Sequence, residues 1–443
     1  MARFLQFFSI PFLFFCFFSC TNETQNAQNQ EVDSLTNEKT SPVQTLIPSQ
    51  SPPVRIGAEV LLSDFEDQLA GKKLAIVANQ TTRFPNGTHL VDSLLSRAFD
   101  VQKVFAPEHG FRGTADAGET VKSGQDQRTG LPIISLYGKN KKPSQAQLAG
   151  IDLVIFDIQD VGVRLYTYIS TLSYVMEACA EAGISVMVLD RPNPNGWYVD
   201  GPVLQKGSES FVGMHPIPVV HGMSIGEYAQ MVNGEGWLEK EAKVDLTIIP
   251  CEGYTHEMRW AETQLPWVAP SPNLGSVQAA YMYPMLVWFE PTPVSVGRGT
   301  DSAFTIVGAP WLDSMSVDTI AASLFADGNI QATPISFTPK SLVGKSKYPK
   351  HQDKLCEGMI FERETNGVQL FKNTLQLFRI FYDRHQAQFP GKTFFQKGFH
   401  KWPGNKDFQQ QISENVLVEE IYESWQVETE IFRELRKKYL IYP

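Results

Sequence analysis

The chain has 443 residues, 42% of them hydrophobic, 12% aromatic and 19% charged, with 38 Lys and Arg against 48 Asp and Glu. At roughly 150 residues per domain this is room for two or three domains with real cores, and the apolar content excludes wholesale disorder. A formal charge of −10 argues against a nucleic-acid partner, which demands clustered cations, and five Cys are too few for a disulfide-built scaffold.

The first twenty residues read as a targeting segment. An apolar run from Phe4 to Phe18 follows Arg3, is interrupted only by Gln6, Ser9 and Pro11, and stops at Ser19-Cys20. This is the pattern of a secretory signal, shorter and more kinked than a membrane span of about 20 residues. Cys20 directly after a small residue resembles a bacterial lipoprotein signal, in which the cysteine becomes the acylated first residue. Phe17 departs from that pattern, standing where such signals usually carry Leu. The alternative is an uncleaved N-terminal anchor. Both place the rest of the chain outside the cytoplasm on a membrane tether; on the first reading it is expected to be an exported, membrane-anchored lipoprotein facing the periplasm.

Residues 21–55 are Asn, Gln, Thr, Ser, Glu and Pro with scattered aliphatics, which cannot bury enough surface to offset chain entropy; a disordered stalk is expected. Loss of Cys16 with the signal and acylation of Cys20 would leave Cys179, Cys251 and Cys356 as thiols. Their wide spacing offers neither a disulfide framework nor a zinc pattern, and no metal or cofactor is expected.

The folded part opens with strands alternating with helices. Lys72 to Ala78, Val101 to Ala106, Ile151 to Ile158 and Ile184 to Leu189 are short apolar runs that predict buried strands. Leu90, Val91, Leu94 and Leu95 mark one helix between them. Tyr168, Leu172, Val175, Met176 and Cys179 mark another, stopped by Gly183. Such alternation predicts an α/β domain with a parallel sheet covered on both faces. No GxGxxG follows any strand, so a dinucleotide site has no support.

Each strand ends in polar residues: Asn79-Gln80-Thr81, Pro107-Glu108-His109-Gly110, Asp157-Ile158-Gln159-Asp160 and Asp190-Arg191-Pro192-Asn193. Ligands bind at the carboxyl ends of strands in open α/β sheets, so the four clusters are expected to converge on one crevice. Glu108 is the most suggestive residue. Its loop is stiffened by Pro107 and opened by Gly110 and Gly113, and a carboxyl at a buried strand end is partly desolvated, which favours the protonated form of a general acid. Asp157 or Asp160 would be the second carboxylate. Paired acids serve glycoside hydrolysis and equally a divalent metal, so the pairing alone does not decide. Arg164, four residues after Asp160, reads either as its salt-bridge partner or as a contact for an anionic ligand.

Gly222-Met-Ser224-Ile-Gly226 matches the nucleophile elbow of serine hydrolases. Pro216 and Pro218 disfavour a central strand before it, however, and Ser224 with Glu227 forms the S-x-x-E box of a helix start, so an N-cap is the preferred reading. Gly344-Lys345-Ser346 lacks the upstream glycine of a phosphate loop, position 339 being Pro339.

From Tyr281 the chain changes character. Phe304 to Val307 and Met359 to Glu362 are β-like; Leu375, Phe378, Ile380 and Phe381 share one amphipathic helix; Ile421, Trp425, Ile431, Phe432 and Leu435 mark a terminal one. Arg433 to Tyr439 reads as a solvated helix face. Ser271-Pro272-Asn273 and Ser295-Val-Gly297-Arg298-Gly299-Thr300 are loops with polar tips; Arg298 is either a turn residue or a second anion contact.

Together, Ala106-Pro-Glu108-His-Gly-Phe-Arg-Gly113, Phe156-Asp-Ile-Gln-Asp-Val-Gly-Val-Arg164-Leu-Tyr-Thr-Tyr168, Asp190-Arg-Pro-Asn-Pro194, His221-Gly-Met-Ser-Ile-Gly-Glu227, Ser271-Pro-Asn-Leu274 and Val296-Gly-Arg-Gly-Thr300 resemble the signatures of the exo-β-N-acetylmuramidases, from about Gly57 to the end. The resemblance implies a Rossmann-like domain, residues 56–265, a smaller α+β domain, residues 266–443, and an active cleft between them. It also implies release of N-acetylmuramic acid from non-reducing ends of peptidoglycan fragments, with Glu108 as catalytic acid. One departure is Pro291 and Pro293, where the family typically has Gly and Asn before the Ser-x-Gly-Arg-Gly motif.

The chemistry of the sugar narrows the candidates. Its lactyl carboxylate calls for a cation, and Arg112, Arg164 and Arg298 are available. Its 2-acetamido group could act as internal nucleophile, so a second carboxylate need not attack. Tyr166 and Tyr168 are placed to stack on a pyranose or to fill core. Asn79, His109, Gln159, Asp160 and Asn273 complete the expected substrate-binding set, and Asp157 is the expected second catalytic group. The competing functions are a serine esterase acting on cell-wall acyl groups through Ser224, and a non-catalytic glycan-binding lipoprotein.

Overall fold

The computed structural model describes residues 52–113, 123–325, 330–363 and 370–443. The signal, Cys16, the acylation candidate Cys20 and nearly all of the stalk lie outside the described residues. The fold begins earlier than residue 56: Val54 is buried and its amide donates to Thr263 O at 3.1 Å, while Arg55 bridges Glu252.

Seven strands form the main sheet: β1 Leu74–Ala78, β2 Val101–Ala106, β3 Gly124–Gln125, β4 Pro132–Ser135, β5 Leu153–Asp157, β6 Ser185–Leu189 and β7 Leu246–Ile249. Their order is β3-β4-β2-β1-β5-β6-β7, parallel throughout except for the antiparallel edge strand β3. Without that edge it is the doubly wound Rossmann order, with the chain reversing direction at β1 and β5. β1 lies in the middle, paired Val77 to Phe105 on one side and Ala78 to Asp157 on the other.

Alternate residues of β1 feed two separate cores, as a two-residue side-chain period requires. Leu74, Ile76 and Ala78 pack with helices Gly57–Asp64 and Leu90–Ser96; Ala75 and Val77 belong to the core that includes helices Tyr168–Ala182 and Ile225–Gly234. Burial on both faces is why these strands read as continuous apolar runs. Gly183 caps the Tyr168–Ala182 helix in the left-handed conformation, φ 68° and ψ 31°, where a Cβ would be strained.

The second half carries a smaller antiparallel sheet of β8 Ile306–Ala309, β9 Ile330–Phe337 and β10 Cys356–Arg363, in the order β8-β10-β9. Helices Val277–Leu286 and Ser314–Leu324 pack on it, and helix Leu370–Gln388 packs against both of these and against Val418–Glu423. Helix Leu370–Gln388 buries Phe371, Leu375, Phe378 and Phe381, each worth about 1.5–3 kcal/mol of transfer free energy. These phenylalanines, Trp288 and Trp425 belong to the same core as the sheet face carrying Val77, so no core boundary separates the halves at residue 265.

The terminal segment is two helices, Val418–Glu423 and Gln426–Arg436, rather than one. Nor is its basic end simply solvated: Arg433 donates to Val199 O at 2.8 Å and Arg436 to Gly222 O. The last residues thread back into the sheet half, where Tyr442 donates from its hydroxyl to Asp190 at 2.6 Å. Among the described residues no helix is long and apolar enough to cross a membrane.

Candidate active site

The four strand-end clusters do not share one crevice: Thr81, Gln159 and Arg191, from three of them, line one pocket, and Glu108 and His109 line another. At the β1 and β5 switch point many of the polar groups are engaged with one another. Asn79 Oδ1 accepts from the Thr81 amide at 2.8 Å and its hydroxyl at 2.6 Å; Gln159 donates to Asp160 O and Pro192 O at 2.8 and 2.7 Å. Asp157, fully buried, receives both Nε and an amino group of Arg191, at 2.5 and 2.9 Å. Burial pushes the Asp157 carboxyl upward while Arg191 pulls it back. The expected second catalytic group is thus a partner in a buried ion pair.

Glu108 leaves this knot behind. It stands two residues beyond β2, past Pro107, and Gly110 donates back to Pro107 O at 3.1 Å to close the turn. His109, buried, sits at φ 71°, a left-handed conformation uncommon outside glycine, which suits a loop built for a site. Glu108 and His109 enter a cavity of about 210 Å³ that both halves line. From the sheet half come Tyr137 after β4, and Tyr166, Thr167 and Tyr168 where the helix after β5 begins. From the second half come Ser271, Tyr283, Glu290, Arg298 and Phe304.

The cavity chemistry is a half-buried acid among hydroxyls. Thr167 Oγ1 donates to Glu108 Oε2 at 3.3 Å, and Tyr137 hydrogen-bonds the same carboxylate. Burial first, then the Glu108 charge, push the Tyr137 hydroxyl above its ordinary value, so it remains a donor. Tyr166 meets Tyr168 and Tyr283 edge to face, at 5.0 and 5.6 Å between ring centroids. Its own hydroxyl is buried without a partner among the described residues, as is Asn79 Nδ2.

Comparison with known proteins adds a second kind of observation. Residues 74–278 match the family described as "Exo-beta-N-acetylmuramidase NamZ, N-terminal", and residues 281–442 match its C-terminal counterpart. The chain belongs to the NamZ family of glycoside hydrolases. It is 38% identical over 398 residues to the peptidoglycan beta-N-acetylmuramidase NamZ of Bacillus subtilis (strain 168), covering 89% of this chain and 92% of that one. Two DUF1343 family crystal structures from Bacteroides fragilis NCTC 9343 share the fold, with TM-scores of 0.73 and 0.77 at 39% and 28% identity. Each alignment covers 88% of this chain and 99% of the other.

Within this NamZ-family fold the three candidate arginines have different surroundings. Arg112 is held by Asp126 at 2.8 Å and Asp92 at 3.2 Å, its guanidinium over the Phe111 ring, and is absent from the cavity lining. Arg164, fully buried, donates to the carbonyls of Pro202, Ile217, Trp402 and Pro403 at 2.8–3.0 Å; it pairs neither with Asp160 nor with the cavity, and burial pushes its pKa down. Arg298 does line the cavity, donating from Nε to Glu290 at 2.6 Å and lying 4.9 Å from the Phe304 ring. Burial alone would lower its pKa, but Glu290 and, more weakly, Tyr283 and Glu108 carry it above the ordinary value. Gly297 and Gly299, at φ 76° and 86°, make this presentation possible: a Cβ on Gly299 would lie 2.6 Å from Lys340 O.

The other expected contacts sit behind or beside the cavity. Asp160 accepts from the Gly162 amide at 2.7 Å, with its second oxygen buried and without a partner among the described residues, and burial raises its pKa to about 7 against the pull of the Gly162 and Val161 amides. Asn273 donates to Lys345 O at 2.7 Å while its neighbours Ser271 and Leu274 line the cavity. Ser224 is an N-cap: its hydroxyl accepts from the Glu227 amide at 3.1 Å and donates to Asp190 at 2.5 Å. It is fully buried and has no place in the cavity. Sequence reasoning missed Tyr137, Tyr283 and Glu290. Glu290 alone carried a local signal, preceding the Pro291-Thr-Pro293 turn. The one acidic cluster among the described residues with metal-like spacing, Glu177, Glu181 and Glu239, does not line the cavity and surrounds Lys142.

Proposed function

We propose that this enzyme releases N-acetylmuramic acid one residue at a time from the non-reducing ends of peptidoglycan fragments. Glu108 protonates the leaving glycosidic oxygen as the C1–O bond breaks, and water completes the hydrolysis. Arg298 faces the lactyl carboxylate. The observation that carries the reading is the shared cavity: Glu108 and Arg298 line it together, whereas Arg112 is engaged by carboxylates and Arg164 by carbonyls. At about 210 Å³ it lies below the usual ligand-pocket range of about 300–1,000 Å³, which suits one sugar ring rather than a glycan strand. The activity of the Bacillus subtilis relative supports the same substrate class.

Glu108→Gln is expected to lower turnover of a β-linked 4-nitrophenyl N-acetylmuraminide by about 10²–10⁴-fold. Near wild-type turnover would sink the reading. The N-terminal pattern supports work outside the cytoplasm on a lipid tether at Cys20. Cys20→Ala should then move the protein from the membrane to the soluble fraction, and unchanged fractionation would refute the tether.

A further inference from the structure

Resting on that reading of the cavity, the geometry points to Glu290 as the second carboxylate of the reaction, facing the positive charge that develops at the anomeric carbon while Glu108 delivers its proton. The carboxylates expected for this role from the sequence do not line the cavity: Asp157 is paired with Arg191, and Asp160 accepts from the Gly162 amide. Glu290 lines the same cavity as Glu108, its side chain 24% exposed, and is ion-paired to Arg298. The Tyr283 phenol feels both acids: burial raises its pKa first, then Glu290, then more weakly Glu108.

The loop under Glu290 is held from outside. Pro284 removes a backbone donor inside helix Val277–Leu286, which gives way to a short turn, Val287–Phe289, that delivers Glu290. Pro291 and Pro293 remove two more donors. Lys350 Nζ supplies the deficit, donating to the carbonyls of Phe289, Glu290 and Val294 at 3.0, 2.6 and 2.9 Å. His351 Nε2 lies 2.6 Å from Pro293 O, and the Gln396 amide donates to Pro291 O at 3.0 Å. A flexible loop would need none of this; a carboxylate that must be in place before the transition state does.

Glu290→Gln tests the assignment, because the amide oxygen still accepts from Arg298 Nε while the charge is gone. On the muraminide, kcat is expected to fall at least about 10²-fold with KM close to wild type. If Glu290 only positions Arg298, kcat will stay within tenfold or KM alone will rise, and either result overturns the inference. Glu290→Asp, which keeps the charge, should retain more turnover than Glu290→Gln; the reverse order also overturns it. Glu108→Gln, assayed alongside, separates the two claims. An inactive Glu108 variant with an active Glu290 variant refutes only this inference, whereas an active Glu108 variant refutes the reading beneath it.

Discussion

Replacing Arg298 by Met asks whether one guanidinium makes the cavity selective for an acidic sugar. In the wild type Nε is committed to Glu290, which leaves two amino groups for a ligand carboxylate. A hydrogen bond to a charged group is worth about 1.5–3 kcal/mol net, a factor of roughly 10 to 150. The variant loses that term and also leaves the Glu290 carboxylate without its partner at the cavity wall, where it repels a lactyl carboxylate. A neutral N-acetylglucosaminide has no lactyl group and escapes both penalties. The ratio of kcat/KM for the 4-nitrophenyl muraminide to that for the matching glucosaminide should therefore drop at least about tenfold. Losing activity equally on both glycosides would refute the reasoning, since it would make Arg298 a general structural or catalytic group. An unchanged ratio with both activities intact would remove it from recognition altogether.

Ser224→Ala should cost about 1–3 kcal/mol in urea unfolding, from the lost cap and the donor taken from buried Asp190, with turnover on the muraminide retained; abolished turnover at unchanged stability would revive the esterase reading. Asp160 gives a pH dependence with a definite sign. Its folded pKa of about 7 exceeds the ordinary 3.8, so between those values the folded chain binds the extra proton, and its share of stability falls as pH rises through that window and is constant above it. The gap is worth up to about 4 kcal/mol, and Asp160→Asn should flatten the change in unfolding free energy between pH 5 and pH 8; identical slopes for wild type and variant would refute the assignment.

The strands that sequence reveals are those buried on both faces. β1, β2, β5 and β6 lie in the middle of the sheet, and their apolar runs follow from that position. β4 and β7 lie toward the edges, are four residues long and partly exposed, and their mixed composition hides them. The capping box at Ser224 is equally local and equally legible. Arginine roles are not, because they depend on remote partners. Arg164 reaches a carbonyl 239 residues away, and no spacing of four residues from Asp160 could disclose that.

The two acids differ for a reason that the rule about strand ends does not contain. Asp157 is the last residue inside β5, paired in register with Ala78 and fully buried, so it must be neutralised where it stands, and Arg191 from the neighbouring strand end does so. Glu108 comes two residues after β2 has ended, beyond the layer that the helices seal, and so can remain half-buried and face a ligand. The distinction is a matter of two residues, which is within the error of any strand boundary read from composition. The same limit applies to Arg298. A glycine-flanked arginine signals a turn, but whether its tip meets solvent or a cavity depends on Tyr283 and Glu290 arriving from another element. Glu290 and Arg298 face each other as an ion pair on the cavity wall, so the lining holds no surplus of positive charge to draw in an anion. If Arg298 meets the lactyl carboxylate as proposed, selection of an anionic sugar rests on where that one side chain points, since neither the local sum nor the −10 of the whole chain attracts it.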